Sequence, residues 1–444
     1  MKACCSENLN LVKYLVGQGL NIEEENNNGF TPLLYACQNG QMDIVKYLVE
    51  CGTYIYQESK KGTTALMEAC RSDNFNLIKY LVEHGLDVNK EDNDGYTSLF
   101  NACKKGHIQV VKYLVEHGAD INKKSNNGYT PIFDACSCGN EAIVKYLVEL
   151  GANIHKETKY GTTPLFHVCN SGNLNLIKYL VELGANIHKE GKYGETPLFN
   201  ACYSGNLNLV KYLVDHGANI NKEKNSGETP LFDACFSGNL NLIKYLVEHG
   251  LDINKENNEG STPLFNACGR GNEAIVKYLV ELGADINKED EIFHRNPLIL
   301  ACKSGNEILV KYLVEMGANI NNETTLNETT LNETTPLIEA CVRGNLNLIK
   351  YLVKLGVNIN ETNFLGNTPL FNACYYGHPN VVKYLVEIGV NINEENIEGE
   401  TSLFEACQGG NKNIVKYLIE LGADLNKVNN KGETVLSIAK KKWT

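Results

Sequence analysis

The chain is 444 residues long, 43% of its residues are apolar, and its formal charge at pH 7 is −12. Such a chain lacks the clustered Lys and Arg that neutralise phosphates, so we expect no nucleic-acid partner. No run approaches the roughly 18 apolar residues of a membrane span, and the first residues, MKACCSENLN, lack the basic and apolar regions of a signal peptide. These features predict no membrane insertion and a cytoplasmic or otherwise intracellular location.

The tripeptide Lys-Tyr-Leu recurs along the whole chain. Successive copies between Tyr14 and Tyr278, and between Tyr351 and Tyr417, are 33 residues apart. This period indicates one structural unit copied end to end, with each copy packed only on its neighbours. We therefore expect the chain to stack into a rod without one central core. The tyrosines are Tyr14, Tyr47, Tyr80, Tyr113, Tyr146, Tyr179, Tyr212, Tyr245, Tyr278, Tyr312, Tyr351, Tyr384 and Tyr417.

Each copy begins with a turn and a short helix, as residues 257–289 illustrate. Residues 257–260 have the composition of a turn, in which Gly260 provides a positive φ at little cost. Thr262 is predicted to cap the first helix with its side-chain oxygen, and Pro263 suits the first helical position because its missing N–H is not needed there. Gly271 ends this helix.

A second helix follows in the same copy. Residues 273–282 carry Ile275 and Leu279 at helical spacing, which predicts one apolar stripe. Gly283 then provides the left-handed residue that commonly ends a helix. Each copy is thus predicted to be a turn followed by two helices.

The pattern Gly-x-Thr-Pro-Leu-x-x-Ala, then Ile-Val-x-x-Leu and Gly-Ala-x-Ile-Asn, closely resembles the ankyrin repeat. The resemblance implies an all-α solenoid of stacked β-turn and helix-loop-helix units. It implies a partial N-terminal unit at residues 1–30, twelve repeats at 31–433, and a C-terminal capping half-repeat at 434–444. The twelve repeats begin at Thr31, Thr64, Thr97, Thr130, Thr163, Thr196, Thr229, Thr262, Asn296, Thr335, Thr368 and Thr401.

The sequence departs from the family pattern both at two positions within the repeat and in its period. Phe usually replaces the family's His after Thr-Pro-Leu, so we expect packing to replace a hydrogen bond, and the next position is polar, which predicts a wetter helix face. The period is interrupted near 288–296, where His294 and Asn296 replace the usual Gly and Thr, and near 322–335, where NETTL is repeated in tandem. This second insertion is either a slippage duplication in a surface turn or a distinct recognition loop.

Thirteen of the sixteen cysteines occupy one repeat position. Equivalent positions in stacked helices lie about 8–10 Å apart, whereas bridged cysteines need Cα atoms within about 7 Å of each other. We therefore expect reduced, buried thiols at these positions. The remaining cysteines are Cys5, Cys51 and Cys138.

The sequence carries no motif typical of catalysis, and we expect no enzyme activity, no cofactor and no metal site. The Lys of each Lys-Tyr-Leu tripeptide could suggest a basic stripe. Most copies place Glu four residues later, as in Lys46 with Glu50 and Lys145 with Glu149, which favours a solvated and charge-balanced face.

Partner recognition is expected where the repeats differ from one another. The resemblance implies that turn tips and exposed first-helix residues line a concave binding surface. Tyr and Arg dominate binding hot spots, and these positions carry several of them, although sequence drift on a tolerant surface explains them equally well. The candidate protein-binding residues are Tyr96, Tyr129, Tyr160, Tyr193, Tyr203, Phe236, Arg270, Tyr375 and Tyr376.

The sequence therefore predicts a monomeric, non-catalytic scaffold that binds one or more partner proteins through the first helices and turn tips. One alternative is the substrate-recognition arm of a larger enzyme or of a ubiquitin-ligase adaptor assembly. A second alternative is a mechanical spring without a partner.

Overall fold

The computed structural model describes residues 1–72, 74–321 and 334–443, which form two units, 1–219 and 220–444. These described residues contain α-helices, one short 3₁₀ helix at Lys2–Cys5 and no β-strand. The tandem NETTL insertion falls almost entirely outside them.

Each repeat contains a first and a second helix. The first helices are α2 (Pro32–Gln38), α4 (Ala65–Ala69), α6 (Ser98–Lys105), α8 (Pro131–Ser137), α10 (Pro164–Ser171), α12 (Pro197–Ser204), α14 (Pro230–Ser237), α16 (Pro263–Gly269), α18 (Pro297–Ser304), α20 (Pro336–Arg343), α22 (Pro369–Tyr376), α24 (Ser402–Gln408) and α26 (Val435–Trp443). The second helices are α1 (Leu9–Gly17), α3 (Met42–Glu50), α5 (Phe75–Glu83), α7 (Ile108–Glu116), α9 (Glu141–Glu149), α11 (Leu174–Glu182), α13 (Leu207–Asp215), α15 (Leu240–Glu248), α17 (Glu273–Glu281), α19 (Glu307–Glu315), α21 (Leu346–Lys354), α23 (Pro379–Glu387) and α25 (Lys412–Glu420).

Helices pack on their sequence neighbours within each unit. In the first unit α8 contacts α6 and α10, and α7 contacts α5 and α9. In the second unit α16 contacts α14 and α18, while α17 contacts α15 and α19. Each first helix from α2 to α24 also packs against the second helix of its own repeat. The hydrophobic core is therefore built from local contacts between adjoining repeats, as the period predicts.

The core consists of the repeated apolar positions. In the repeat of α16 and α17, Leu264, Cys268, Ile275 and Leu279 are completely buried. The Phe rings that replace the family's His are at most 4% exposed, so they are packed in the core as predicted; they are Phe100, Phe133, Phe166, Phe199, Phe232, Phe265, Phe371 and Phe404. The thirteen equivalent cysteines are buried as predicted, and Cys5, Cys51 and Cys138 are exposed.

The predicted cap at Thr262 is wrong in its detail. Thr262 does occupy the N-cap position, but its hydroxyl is buried and makes no hydrogen bond. A capping hydroxyl would accept a hydrogen bond from the N–H of Phe265. That N–H donates instead to the Thr262 carbonyl over 3.0 Å. Thr31 shows the other solution, because its hydroxyl does accept from the N–H of Leu34. A threonine at the N-cap position is thus compatible with a hydroxyl that caps the helix and with one that does not.

The irregular turn near residue 294 keeps its geometry without glycine. His294 has a φ of +49°, the left-handed conformation that glycine usually adopts in the other turns. Asp290, 1% exposed, accepts from the N–H of Phe293 over 2.7 Å and pairs with the Arg295 Nε over 2.7 Å. Asn296 caps α18 by accepting from the N–H of Ile299. Asp290 therefore organises a turn that has lost its Gly and Thr.

Candidate protein-binding surface

The turn tips of the first unit are joined by backbone hydrogen bonds between successive repeats. The Asn126 N–H donates to the Asp94 carbonyl over 2.8 Å, and the Lys192 N–H donates to the Tyr160 carbonyl over 2.7 Å. These bonds connect residues about one repeat apart, so each tip is supported by the next. The tips are therefore an ordered platform for the side chains they carry.

Tyr96 and Tyr129 lie at equivalent tips and are half-buried. The Tyr96 ring packs edge-on against Phe100, with centroids 4.8 Å apart, and the Tyr129 ring packs against Phe133 at 5.3 Å and His167 at 5.6 Å. Burial raises the pKa of both tyrosines. Each ring therefore presents one edge to solvent and uses the rest to cover the core.

The other tyrosine candidates of this unit are more exposed. Tyr160 is 38% exposed, Tyr193 is 57% exposed and Tyr203, near the end of α12, is 51% exposed. The Lys192 Nζ lies 5.8 Å from the Tyr193 ring centroid. Tyr160 lies close enough to Tyr129 to contribute to the raised pKa of Tyr129.

Two candidate clusters lie in the second unit. The Arg270 guanidinium stacks on the Phe236 ring, with Cζ 3.4 Å from the centroid. Tyr375 and Tyr376 end α22 with their rings 5.1 Å apart in an edge-on arrangement, and both are exposed. The candidate residues thus form separate local groups within the two units.

The polar position after Phe links successive first helices. The Asn101 Nδ2 donates to the Met67 carbonyl over 3.2 Å, and the Asn266 Nδ2 donates to the Phe232 carbonyl over 3.0 Å. In both cases the acceptor belongs to the preceding repeat. The sequence predicted a wetter helix face, but Glu68 at this position is fully buried and these Asn side chains bond across the repeat interface, which the sequence did not reveal.

His167 occupies the same polar position, and its contacts were not apparent from the sequence. Its Nδ1 lies 2.8 Å from the Ser137 Oγ, and its ring packs on Phe133 and Tyr129. Burial lowers the pKa of His167 to about 4, so the ring is neutral near pH 7. A neutral imidazole in this place extends the aromatic cluster around Tyr129. The only sequence signal was a His at a position where most other repeats carry Asn, Asp or Glu.

Buried carboxyl groups also occupy this position. Burial raises the pKa of Asp134 to about 6, and a nearby Lys104 partly opposes that increase. Burial also raises the pKa of Glu405 to about 7, with further contributions from Glu400 and Glu398. These groups titrate close to neutral pH because the first-helix face is only partly hydrated.

The lysines of the Lys-Tyr-Leu tripeptides follow the prediction in some repeats, where Lys79 pairs with Glu83 and Lys416 with Glu420, but other copies contact the next repeat. The Lys46 Nζ lies 5.8 Å from the ring centroid of Tyr80, one repeat later, and the Lys145 Nζ lies 5.4 Å from that of Tyr179. Lys145 pairs with Glu141 over 2.6 Å, four residues before it and not four residues after it. The sequence missed this arrangement because the Tyr belongs to the next repeat. The lysines therefore interact with the stack itself.

Among the described residues, no group of three or more His, Cys, Asp or Glu side chains is arranged to hold a metal ion. None of the helices in the described ranges combines the length and apolar character needed to cross a bilayer.

The turns, paired helices and neighbour-only packing define a repeat protein, and the comparisons identify its family. The model for "Ankyrin repeats (3 copies)" matches residues 1–92, 51–125, 87–158, 120–191, 151–224, 217–290, 252–324, 288–363, 322–396 and 388–442. The chain therefore belongs to the ankyrin-repeat family and has the ankyrin-repeat solenoid fold that the sequence predicted. Ankyrin repeats generally mediate protein–protein interactions, and their fold is typically a non-catalytic interaction scaffold.

The chain is also similar to a solved structure, the crystal structure of the human ASB11 ankyrin repeat domain. The sequence identity is 27%, the TM-score is 0.43, and the match covers 52% of this chain and 99% of that domain. No curated protein matches the chain.

Proposed function

We propose that this chain is a non-catalytic scaffold that binds partner proteins through its first helices and turn tips. The observation that supports this function is the contrast between repeated and varying positions. Repeated apolar residues such as Leu264 and Leu279 are completely buried, whereas Tyr193 and Tyr203 occupy varying positions and are more than half exposed. Exposed aromatic side chains on an ordered framework are typical of binding hot spots.

The chemistry of the chain supports a protein partner inside the cell. Its formal charge of −12 disfavours a phosphate backbone as the ligand. All sixteen cysteines are free thiols, which is the usual state in a reducing compartment.

A matched pair of variants tests the proposal. The test variant combines Tyr160→Ala, Tyr193→Ala and Tyr203→Ala, and it leaves Tyr129 intact because that ring covers Phe133 and His167. The control combines Leu150→Ala and Leu183→Ala, which remove exposed apolar groups where second helices end. Proteins that co-purify with the wild type are quantified by mass spectrometry, and thermal unfolding confirms that both variants are folded.

We expect the tyrosine variant to lose specific partners and the leucine control to retain them. Equal partner recovery by all three proteins would remove these tyrosines from the binding surface. Loss of the same partners in both variants would contradict a role for the turn tips and first helices in particular.

A further inference from the structure

A groove lies across three consecutive repeats of the second unit. It has a volume of about 410 Å³, and its walls include Phe232, Phe265 and Leu300. Phe232 and Phe265 are almost fully buried and present only an edge to the groove. Leu300 stands at the first-helix position where the adjoining repeats carry Asn266 and Glu339. Because Leu300 replaces a polar residue, the inner wall of the groove is more apolar than the repeat pattern predicts.

Gly269 opens this groove. The equivalent first-helix position carries Phe236 in the repeat before and Lys303 in the repeat after. Gly269 lies within α16 and not in the left-handed region, and a Cβ added there would meet nothing within 4 Å. The backbone therefore does not require glycine. Its effect is to leave space where a side chain would otherwise stand.

Arg270 provides the charge at the rim of the groove. Its guanidinium is held against the Phe236 ring, and none of the ion pairs among the described residues involves Arg270. A stacked guanidinium keeps its N–H edge available for two parallel hydrogen bonds to a carboxylate.

The other charges of the groove are largely occupied or solvated. Glu228 pairs with the Lys224 Nζ over 3.0 Å, and Arg295 pairs with Asp290. Glu259 also lines the groove, but it is exposed at a turn tip. This carboxylate and the chain's charge of −12 disfavour a strongly acidic ligand. The occupant that fits best has a single carboxylate.

We infer that this groove binds a peptide segment of a partner protein in which a large apolar side chain is adjacent to one Asp or Glu. The apolar side chain occupies the space above Gly269, against Phe232, Phe265 and Leu300. The carboxylate pairs with Arg270. This inference rests on the proposed function and adds the chemistry of one partner segment to it.

The test uses the full chain and a phage-displayed library of random seven-residue peptides. Enriched peptides are synthesised, and their affinities are measured for the wild type and three variants. Gly269→Tyr fills the groove with the residue that Tyr203 and Tyr375 place at the equivalent position. Arg270→Gln removes the charge. Gly269→Ala is the matched control, because a methyl group meets nothing there.

We expect the enriched peptides to contain an Asp or Glu beside Phe, Trp, Leu or Met. Gly269→Tyr should weaken their binding at least about tenfold, Arg270→Gln by roughly tenfold, and Gly269→Ala should leave it unchanged. Replacing the acidic residue of the peptide by its amide should weaken binding to the wild type and have no effect on the Arg270→Gln variant.

Three results would overturn the inference: no enriched peptide, enrichment of Lys and Arg, or peptide binding that Gly269→Tyr does not affect. The last two results would leave the proposed scaffold function intact, because the peptides would bind elsewhere on the chain or with other chemistry. If the tyrosine variant kept all its partners while this groove still bound the peptides, only Tyr160, Tyr193 and Tyr203 would be removed from the binding surface.

Discussion

Asp134 illustrates how one side chain at a repeated position acquires its own properties. It lies on α8 at the position where Asn101 and Asn266 donate a hydrogen bond to a carbonyl of the preceding repeat. An ionised carboxylate has no proton to donate there. Because burial raises the pKa of Asp134 to about 6, the folded chain holds this proton more tightly than the unfolded chain does.

Asp134→Asn should therefore stabilise the repeat in a pH-dependent way. The folded-state pKa lies above the unfolded value of about 3.9, so the ionised Asp134 costs stability as pH rises between these values, and the full cost is present above pH 6. We expect Asn to slow amide hydrogen exchange in α8 at pH 8, corresponding to roughly 1–2 kcal/mol. The gain should shrink as pH falls through 4, because Asp134 then becomes protonated in the unfolded state as well as in the folded state.

Asp233 is the matched control for Asp134. It occupies the equivalent position on α14, but its carboxylate lies 2.9 Å from the Lys224 Nζ, and both side chains are mostly buried. Asp233→Asn should therefore stabilise its repeat less than Asp134→Asn does at pH 8, because Lys224 partly offsets the burial that raises the pKa of Asp233. Equal gains from both substitutions would show that the local charge environment is not the cause.

At this scale the sequence predicts residue types better than residue partners. The buried Phe rings, the buried cysteines and the polar position after Phe all follow from the pattern. The His167–Ser137 contact and the Lys46–Tyr80 contact do not, because their members are about 30 residues apart and belong to different repeats. The Thr262 hydroxyl does not cap α16, because the N–H of Phe265 donates to the Thr262 carbonyl instead.

Among the elements, the second helices show how a cap also joins two repeats. The Asn173 Oδ1 accepts from the N–H of Leu176 over 3.1 Å and caps α11, while its Nδ2 donates to the Gly139 carbonyl over 2.9 Å. Asn206 and Asn306 make the same pair of bonds in their own repeats. The amide thus provides an acceptor for its own helix and a donor for the preceding repeat.

This dual role predicts an order of stabilities. Asn173→Asp keeps the acceptor and loses the donor, whereas Asn173→Ala loses both, so we expect losses of roughly 1 and 2 kcal/mol. The urea midpoint, followed by far-UV circular dichroism, should fall in the order wild type, Asp, Ala. Asn175→Ala, an exposed site on the same helix, should not lower the midpoint. An Asp variant as stable as the wild type would contradict the role of the inter-repeat bond.

The ends of these elements were largely predictable from sequence. Gly271 and Gly283 have φ values of +68° and +93°, as expected of residues that end helices. The second helix of that repeat ends at Glu281, one residue before the predicted limit. The turn at His294 was recognised as irregular, but the buried Asp290 that replaces the missing turn residues was not, because a single acidic residue carries no sequence signal of burial.

At the scale of the whole molecule, the family and the fold follow from the repeat, whereas the binding site does not. Periodicity identifies the core because every copy must bury the same face. A binding site depends on how side chains of different repeats meet, as Phe236 and Arg270 do, and on missing groups such as the side chain at Gly269. Arg270 and Phe236 were selected from sequence as separate candidates, and only the structure shows them in contact.

The central claim is that each repeat is held only by the repeats next to it, which leaves the varying side chains free for recognition. Amide hydrogen exchange of the wild type and Leu279→Ala tests it most directly, since the substitution empties a completely buried site and costs roughly 2–5 kcal/mol. We predict faster exchange in α14 to α19 and unchanged exchange in α2 to α8. An equal acceleration of exchange along the whole chain would contradict the claim.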